Sequence, residues 1–178
     1  SKLRLKYVFD ISDTNSYYGN QPYIWHPEPR DAETIMESLA NSFGEYEAQD
    51  MSVALLETAK NAVLDNYGDY LAELMRVKND SFLEELDDLN VDVKFRSTLE
   101  NAVAYMLLTR CGYDADEYIG AEDFPHIADF NTISVISILG AASGDISKMV
   151  LREVERTVRA QRREEQKSGK KFAKKEEA

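Results

Sequence analysis

From Asp31 to Val158 apolar residues return every three or four positions, and a chain patterned this way is committed to packed amphipathic helices. Ala32, Ile35, Met36, Leu39 and Phe43 fall on one face of a first helix, with Gly44 as its stop. A second follows Asp50, with Val53, Leu56, Ala59, Ala62 and Val63 inward and Gly68 ending it. Tyr70, Leu71, Leu74 and Met75 make a third. Phe82, Leu83, Leu86 and Leu89 make a short fourth, whose Glu84, Glu85, Asp87 and Asp88 face water. A fifth, over about residues 94–110, turns Phe95, Leu99, Ala102, Val103 and Met106 inward and is closed by Gly112.

The rest is less regular. Leu3, Leu5, Tyr7 and Phe9 alternate with Arg4, Lys6 and Val8, the period of a half-buried strand. Residues 10–30 are rich in turn formers and hold three of the four prolines, with Pro22-Tyr23-Ile24-Trp25 as a short edge strand. Val91-Asp92-Val93 reads as a brief strand. Residues 132–139 carry β-branched side chains that suit a strand, whereas Asn131 as N-cap and the Gly140–Gly144 break suit a short buried helix, which is the reading adopted. A last helix starts near Asp145, with Ile146, Met149, Val150, Val154 and Val158 inward. The expected fold is therefore α+β and predominantly helical: a short N-terminal strand element (residues 1–30) packed on six or seven helices (residues 31–163), then a charged tail (residues 164–178).

At 178 residues the chain has the length of one domain and material for a real core. Its single cysteine cannot form an internal disulfide, and no run approaches the ~18 apolar residues of a membrane span, so a cytoplasmic protein with no membrane partner is expected. Opening on Ser1 and running at once into strand-like sequence, it reads as a piece of something longer. Charge is divided unevenly. Residues 1–147 carry ten Lys and Arg against 27 Asp and Glu, while residues 148–178 carry eleven against six. The acidic body repels phosphate; the basic end attracts it.

Few residues suit catalysis. His26 and His126 lie in loops beside prolines and Cys111 at a helix end, too few nitrogen and sulfur donors for zinc. Asp114, Asp116 and Glu117 lack the spacing of a calcium loop and read as a solvated turn. There is no GxSxG elbow, Cys111 has no neighbouring histidine, and Gly140-Ala141-Ala142-Ser143-Gly144 lacks the Lys-Ser/Thr of a phosphate loop and reads as a tight joint between helices. Glu100 stands out because it lies one position from the apolar stripe of its helix. Arg152, Arg156, Arg159 and Arg163 recur at i, i+4, i+7 and i+11, one helix face that suits a phosphate backbone, although Glu153, Glu155 and Glu164 compete for them.

Three strings carry a resemblance. KLRLKYVFDISDTN is similar to the segment that follows the single-stranded-DNA-binding N-terminal domain of ArdC-type antirestriction proteins, and more closely to the same region of very large proteins of Gram-positive conjugative elements. DSFLEELDDLNV with LENAVAYMLLTRCGYDADEY, and FPHIADFNT with ILGAASGDISKMVLREVERTVRAQ, resemble that group in wording and order. The large proteins resemble fusions of an ArdC-like N-terminus with a helicase and a DNA methyltransferase. The resemblance implies a zinc-peptidase-like domain in which an HExxH helix gives two ligands and the base, and a later glutamate the third. Glu100, ahead of Val103-Ala104-Tyr105, resembles that glutamate. The HExxH helix aligns only as Glu57-Thr58-Ala59-Lys60-Asn61, so both histidines are replaced, by Glu57 and Asn61, and the base by Thr58. The expectation is a peptidase-like fold without catalytic residues or cofactor: an accessory, scaffolding module of a mobile-element DNA-processing protein, with neighbouring domains as partners. Two alternatives stand beside it. One is DNA binding through Arg152, Arg156, Arg159 and Arg163; the other is a hydrolase with an oxygen-ligand metal site at Glu57, Asn61 and Glu100, suited to Mg²⁺ or Mn²⁺.

Overall fold

In the computed structural model the structure describes residues 27–176, and these form five α-helices joined by turns. They are α1 (Ala32–Phe43), α2 (Met51–Asn66), α3 (Gly68–Val77), α4 (Asp88–Arg110) and α5 (Ile133–Glu176). Short 3-10 turns at Pro29–Asp31, Ala115–Glu117, Ala121–Asp123 and Ile127–Asp129 complete it. No strand occurs among the described residues, so the α+β expectation is corrected to a predominantly helical fold, with five α-helices among the described residues in place of six or seven. The strands read at Leu3–Phe9 and Pro22–Trp25 lie outside the described residues.

Local chemistry explains the helix ends. The Asp50 carboxylate accepts from Val53 N–H at 3.0 Å, and that of Asp87 from Asn90 N–H at 2.9 Å, each satisfying a donor that the helix start leaves free. Gly44 and Gly112 leave α1 and α4 with φ of 102° and 89°, a left-handed backbone that glycine adopts without a Cβ clash. α2 ends at Asn66, and Gly68, expected as its stop, opens α3 instead.

Three expectations fail for physical reasons. The segment read as a fourth helix is a compact turn. Ser81 Oγ donates to the Lys78 carbonyl and accepts from Leu83 N–H, and Asp80, at φ 64°, donates its N–H to Glu84, so side chains take up the bonds a helix would make. Leu83 is buried there while Phe82 and Leu89 face solvent. Val91-Asp92-Val93 is not a strand but the first turns of α4, with Val91 buried and Val93 exposed. Finally, no break occurs at Gly140–Gly144: α5 continues through the expected start near Asp145 and through the residues read as a tail, as far as Glu176.

One core joins all five helices. α2 packs most extensively on α4, and α5 touches each of the other four. Phe95, Leu55, Leu99, Leu107, Ile35 and Ile146 are among the fully enclosed side chains, each contributing about 1.5–3 kcal/mol. Inward faces are rotated slightly from expectation: Val53, Leu56 and Ala102 are half-buried and Met106 is exposed, while Ala54, Leu55, Ala104 and Leu107 take the core. Ile133–Glu165 is long and apolar enough to cross a membrane by length and composition, yet Val135, Ile138, Leu139, Ala142, Val150 and Val154 are buried against the other helices, as in a core helix.

Candidate functional site

The alternative metal-site residues are distributed over two helices that pack together. Their order is antiparallel: Asp92, near the start of α4, acts on Tyr67 at the end of α2, and Lys60, mid-α2, acts on Glu100, mid-α4. Glu100 thus feels the charge of Lys60 from α2. Asn61 lies about 100° further round the helix and turns to the end of α1, where its Nδ2 stands 3.3 Å from the place a Cβ on Gly44 would occupy. Glu57 Oε1 pairs with Lys60 Nζ at 2.7 Å. Glu100 Oε1 lies 3.9 Å from Arg96 Nε. Both carboxylates of that set thus have a cationic partner on their own helix, Lys60 for Glu57 and Arg96 for Glu100. Thr58, at the position aligned with a catalytic base, is fully buried.

Glu100 is nevertheless perturbed. Burial raises its pKa above the ordinary carboxylate value, and Arg96 and Lys60 only partly offset that. Among the described residues no three His, Cys, Asp or Glu side chains are placed to hold a metal ion. Cys111 is buried, and desolvation pushes its thiol up to about 12, so thiolate is scarce at neutral pH. His126 Nδ1 sits 3.8 Å from Asp129 Oδ2, whose main partner is Lys94 Nζ at 2.6 Å.

Arg152, Arg156, Arg159 and Arg163 of α5 all face solvent, as helix geometry requires of residues opposite Val150, Val154 and Val158. Two are engaged. Arg156 Nη2 donates to Glu153 Oε1 at 2.6 Å, and Arg159 pairs with Glu155 one turn back. Arg152 and Arg163 make no ion pair with another described residue. Glu153 also fastens α1 to α5, because Ser38 Oγ donates to the same carboxylate oxygen at 2.7 Å and Thr157 Oγ1 donates to Ser38 Oγ at 2.9 Å. The sequence marks Glu153 only as a competitor for arginine; its second partner comes from 115 residues away and leaves no local signal.

Three clefts flank these features. A polar groove of about 570 Å³ runs between α1 and α5 past Ser38, Asn41, Arg156 and Gln161. An acidic one of about 460 Å³ is lined by Asp69, Tyr70, Glu73 and Asp145, where Tyr70 donates to Asp145 at 3.0 Å. A more apolar one of about 610 Å³ lies between Pro27, Met36, Met51, Cys111 and Tyr113. Sequence reasoning also missed the exposure of Phe82, Leu89 and Ile133; the cluster of acids at Glu84, Glu85, Asp87 and Asp88 around two of them is the signal that these apolar side chains share a wet surface. Compared with known protein families, with curated proteins and with solved structures, the chain matches none.

Proposed function

We propose that this chain is a non-catalytic accessory module of a larger, cytoplasmic DNA-processing protein of the helicase and methyltransferase type from a mobile element. Its task is to hold neighbouring domains or a partner at a set spacing. The observation that carries this reading is the form of α5. Among the described side chains Val158 is the last buried one of α5, and the helix goes on to Glu176, about 27 Å further at 1.5 Å per residue. An arm rooted in the core of its own domain transmits that domain's orientation to whatever it meets. The resemblance of the three strings supplies the DNA-processing setting, and the pairing of Glu57 with Lys60 and of Glu100 with Arg96 favours a scaffold over a hydrolase. A photo-crosslinking residue in place of Arg163 in the parent protein should capture another part of that protein or a protein partner. Turnover of a peptide or nucleic-acid substrate by the purified chain, lost in Glu100→Gln, would overturn the reading in favour of the hydrolase.

The exposure of Arg152, Arg156, Arg159 and Arg163 along one face supports a second reading, contact with single-stranded DNA. With Arg156 and Arg159 held by glutamates, Arg152 and Arg163, which have no ion pair among the described residues, set the salt dependence, a slope of about −1.4 in log K against log salt. Replacing Arg152 and Arg163 with Ala should flatten it, whereas equal binding by the variant at low salt would remove this reading.

A further inference from the structure

The two ends of α5 carry surfaces of opposite character. At its start Phe82 and Ile133 are 67% and 85% exposed, and they are neighbours because Phe82 N–H donates to Asn131 Oδ1 at 2.9 Å. Ile136 follows one turn along α5, and Leu89, 72% exposed, follows the turn that carries Phe82. Side chains of this size are worth about 1.5–3 kcal/mol each when buried, and clusters of them left in water mark contact surfaces. Their rim is predominantly acidic: residues 78–94 hold six Asp and Glu against Lys78 and Lys94, both half-buried, while Asp80, Glu84, Glu85, Asp87 and Asp88 are all exposed. Towards the other end of α5, Arg152, Arg159, Arg163 and Lys167 are exposed.

These surfaces complement one another in charge, yet one molecule cannot join them. Ile133 and Arg163 are thirty residues apart on an unbroken helix, about 45 Å at 1.5 Å per residue. Only two molecules bring them together. Parallel pairing would set like charges side by side, and a single head-to-tail contact would leave an open chain. Antiparallel pairing makes both contacts at once and closes on a two-fold axis. The helix face permits it, since Ile133, Ser137, Gly144, Lys148, Arg152 and Arg159 fall within about 100° of one another on the solvent side of α5.

We propose that the chain pairs with a second copy of itself, antiparallel along α5, the basic face of each copy resting on the acidic, apolar surface around Phe82 and Ile133 of the other. Sedimentation equilibrium of the 178-residue chain tests this. It should show a dimer in about 0.05 M salt that dissociates in about 0.5 M salt, where charges more than a few ångströms apart are screened. Arg159→Glu with Arg163→Glu should weaken the dimer about tenfold or more. Adding Glu85→Arg and Asp88→Arg to that pair should restore it. Ile133→Ser, which touches no charge, should weaken it without changing its salt dependence, and all these positions are exposed, so circular dichroism should be unaltered. A monomer at every concentration in low salt overturns the proposal. So does growth beyond a dimer, which would mean open head-to-tail contact, or a dimer that both the arginine reversal and Ile133→Ser leave intact.

Discussion

Glu100 shows how a single side chain carries a cost that its neighbours only partly offset. Burial raises its pKa and the cations of Arg96 and Lys60 lower it, with burial the larger effect. A carboxyl whose folded pKa lies above its ordinary value of 4.5 favours the folded state when protonated, and that advantage is lost as pH rises through the folded value. At neutral pH the charged group therefore works against folding. Glu100→Gln should raise the urea midpoint at pH 7, and its advantage should shrink to nothing as the pH falls below 4.5, where both side chains are neutral. A lower midpoint at pH 7 would mean that the pairing with Arg96 outweighs desolvation. Asp50 and Asp87 have the opposite sign. Hydrogen bonds from Ser52 and from Asn90 head the causes that hold their carboxyls below the ordinary value, so their contribution is present above that value and fades as the pH falls through the lowered one. The sequence singles out Glu100 by its place beside an apolar stripe, and the structure finds it half-buried and paired. The influence of Lys60 was not legible, because that charge arrives from α2, forty residues away in the chain.

Helices whose ends are written in side-chain chemistry were legible; those whose ends depend on tertiary context were not. Asp50 capping α2, Gly44 after α1 and Gly112 after α4 stand where the sequence puts them. Leu83 and Leu86, by contrast, turn inward at helical spacing from a turn that is not a helix, since burial of two leucines asks only that both face the core. Gly140 and Gly144 failed in the other direction. Neither has positive φ, and a Cβ on either would meet nothing within 4 Å, so α5 passes through both in ordinary helical geometry. Their readiness to break a helix is overridden by the burial of Val135, Leu139, Ala142 and Ile146 on either side. Glycine in a helix interior nonetheless costs about 0.5–1 kcal/mol relative to alanine. Gly140→Ala and Gly144→Ala should each stabilise the chain by about that much, read as a higher thermal midpoint in high salt, where the charged ends of α5 are screened. A fall in the midpoint for either would show that the helix needs the glycine for a reason other than space.

At the scale of the whole molecule α5 is two objects in one helix. Up to Val158 it is the element on which α1, α2, α3 and α4 all pack, so the core has no part independent of it. Beyond Val158 its apolar stripe ends, and the described residues there form ion pairs with the body, Arg30 with Glu165 at 3.6 Å, Arg162 with Glu28 at 3.3 Å and Arg162 with the buried Asp31 at 3.9 Å. A pair as exposed as Arg30 with Glu165 is worth about 0–1 kcal/mol, so from Glu165 onward the arm hangs on the body rather than holding it together. The same substitution should then have opposite consequences in the two halves. Proline within a helix removes a backbone hydrogen bond and clashes with the preceding turn, at a cost of about 3 kcal/mol or more. Ser147→Pro, at a buried position among four helix partners, adds displaced core side chains to that cost, and the chain should lose its cooperative thermal transition. Lys167→Pro breaks the helix where nothing in the core depends on it, and the thermal midpoint should move by less than about 2 °C. Circular dichroism melts of the two variants separate the alternatives. Equal damage from both would mean that the arm stabilises the body, and the scaffold reading, which needs an arm free to meet something else, would go with it.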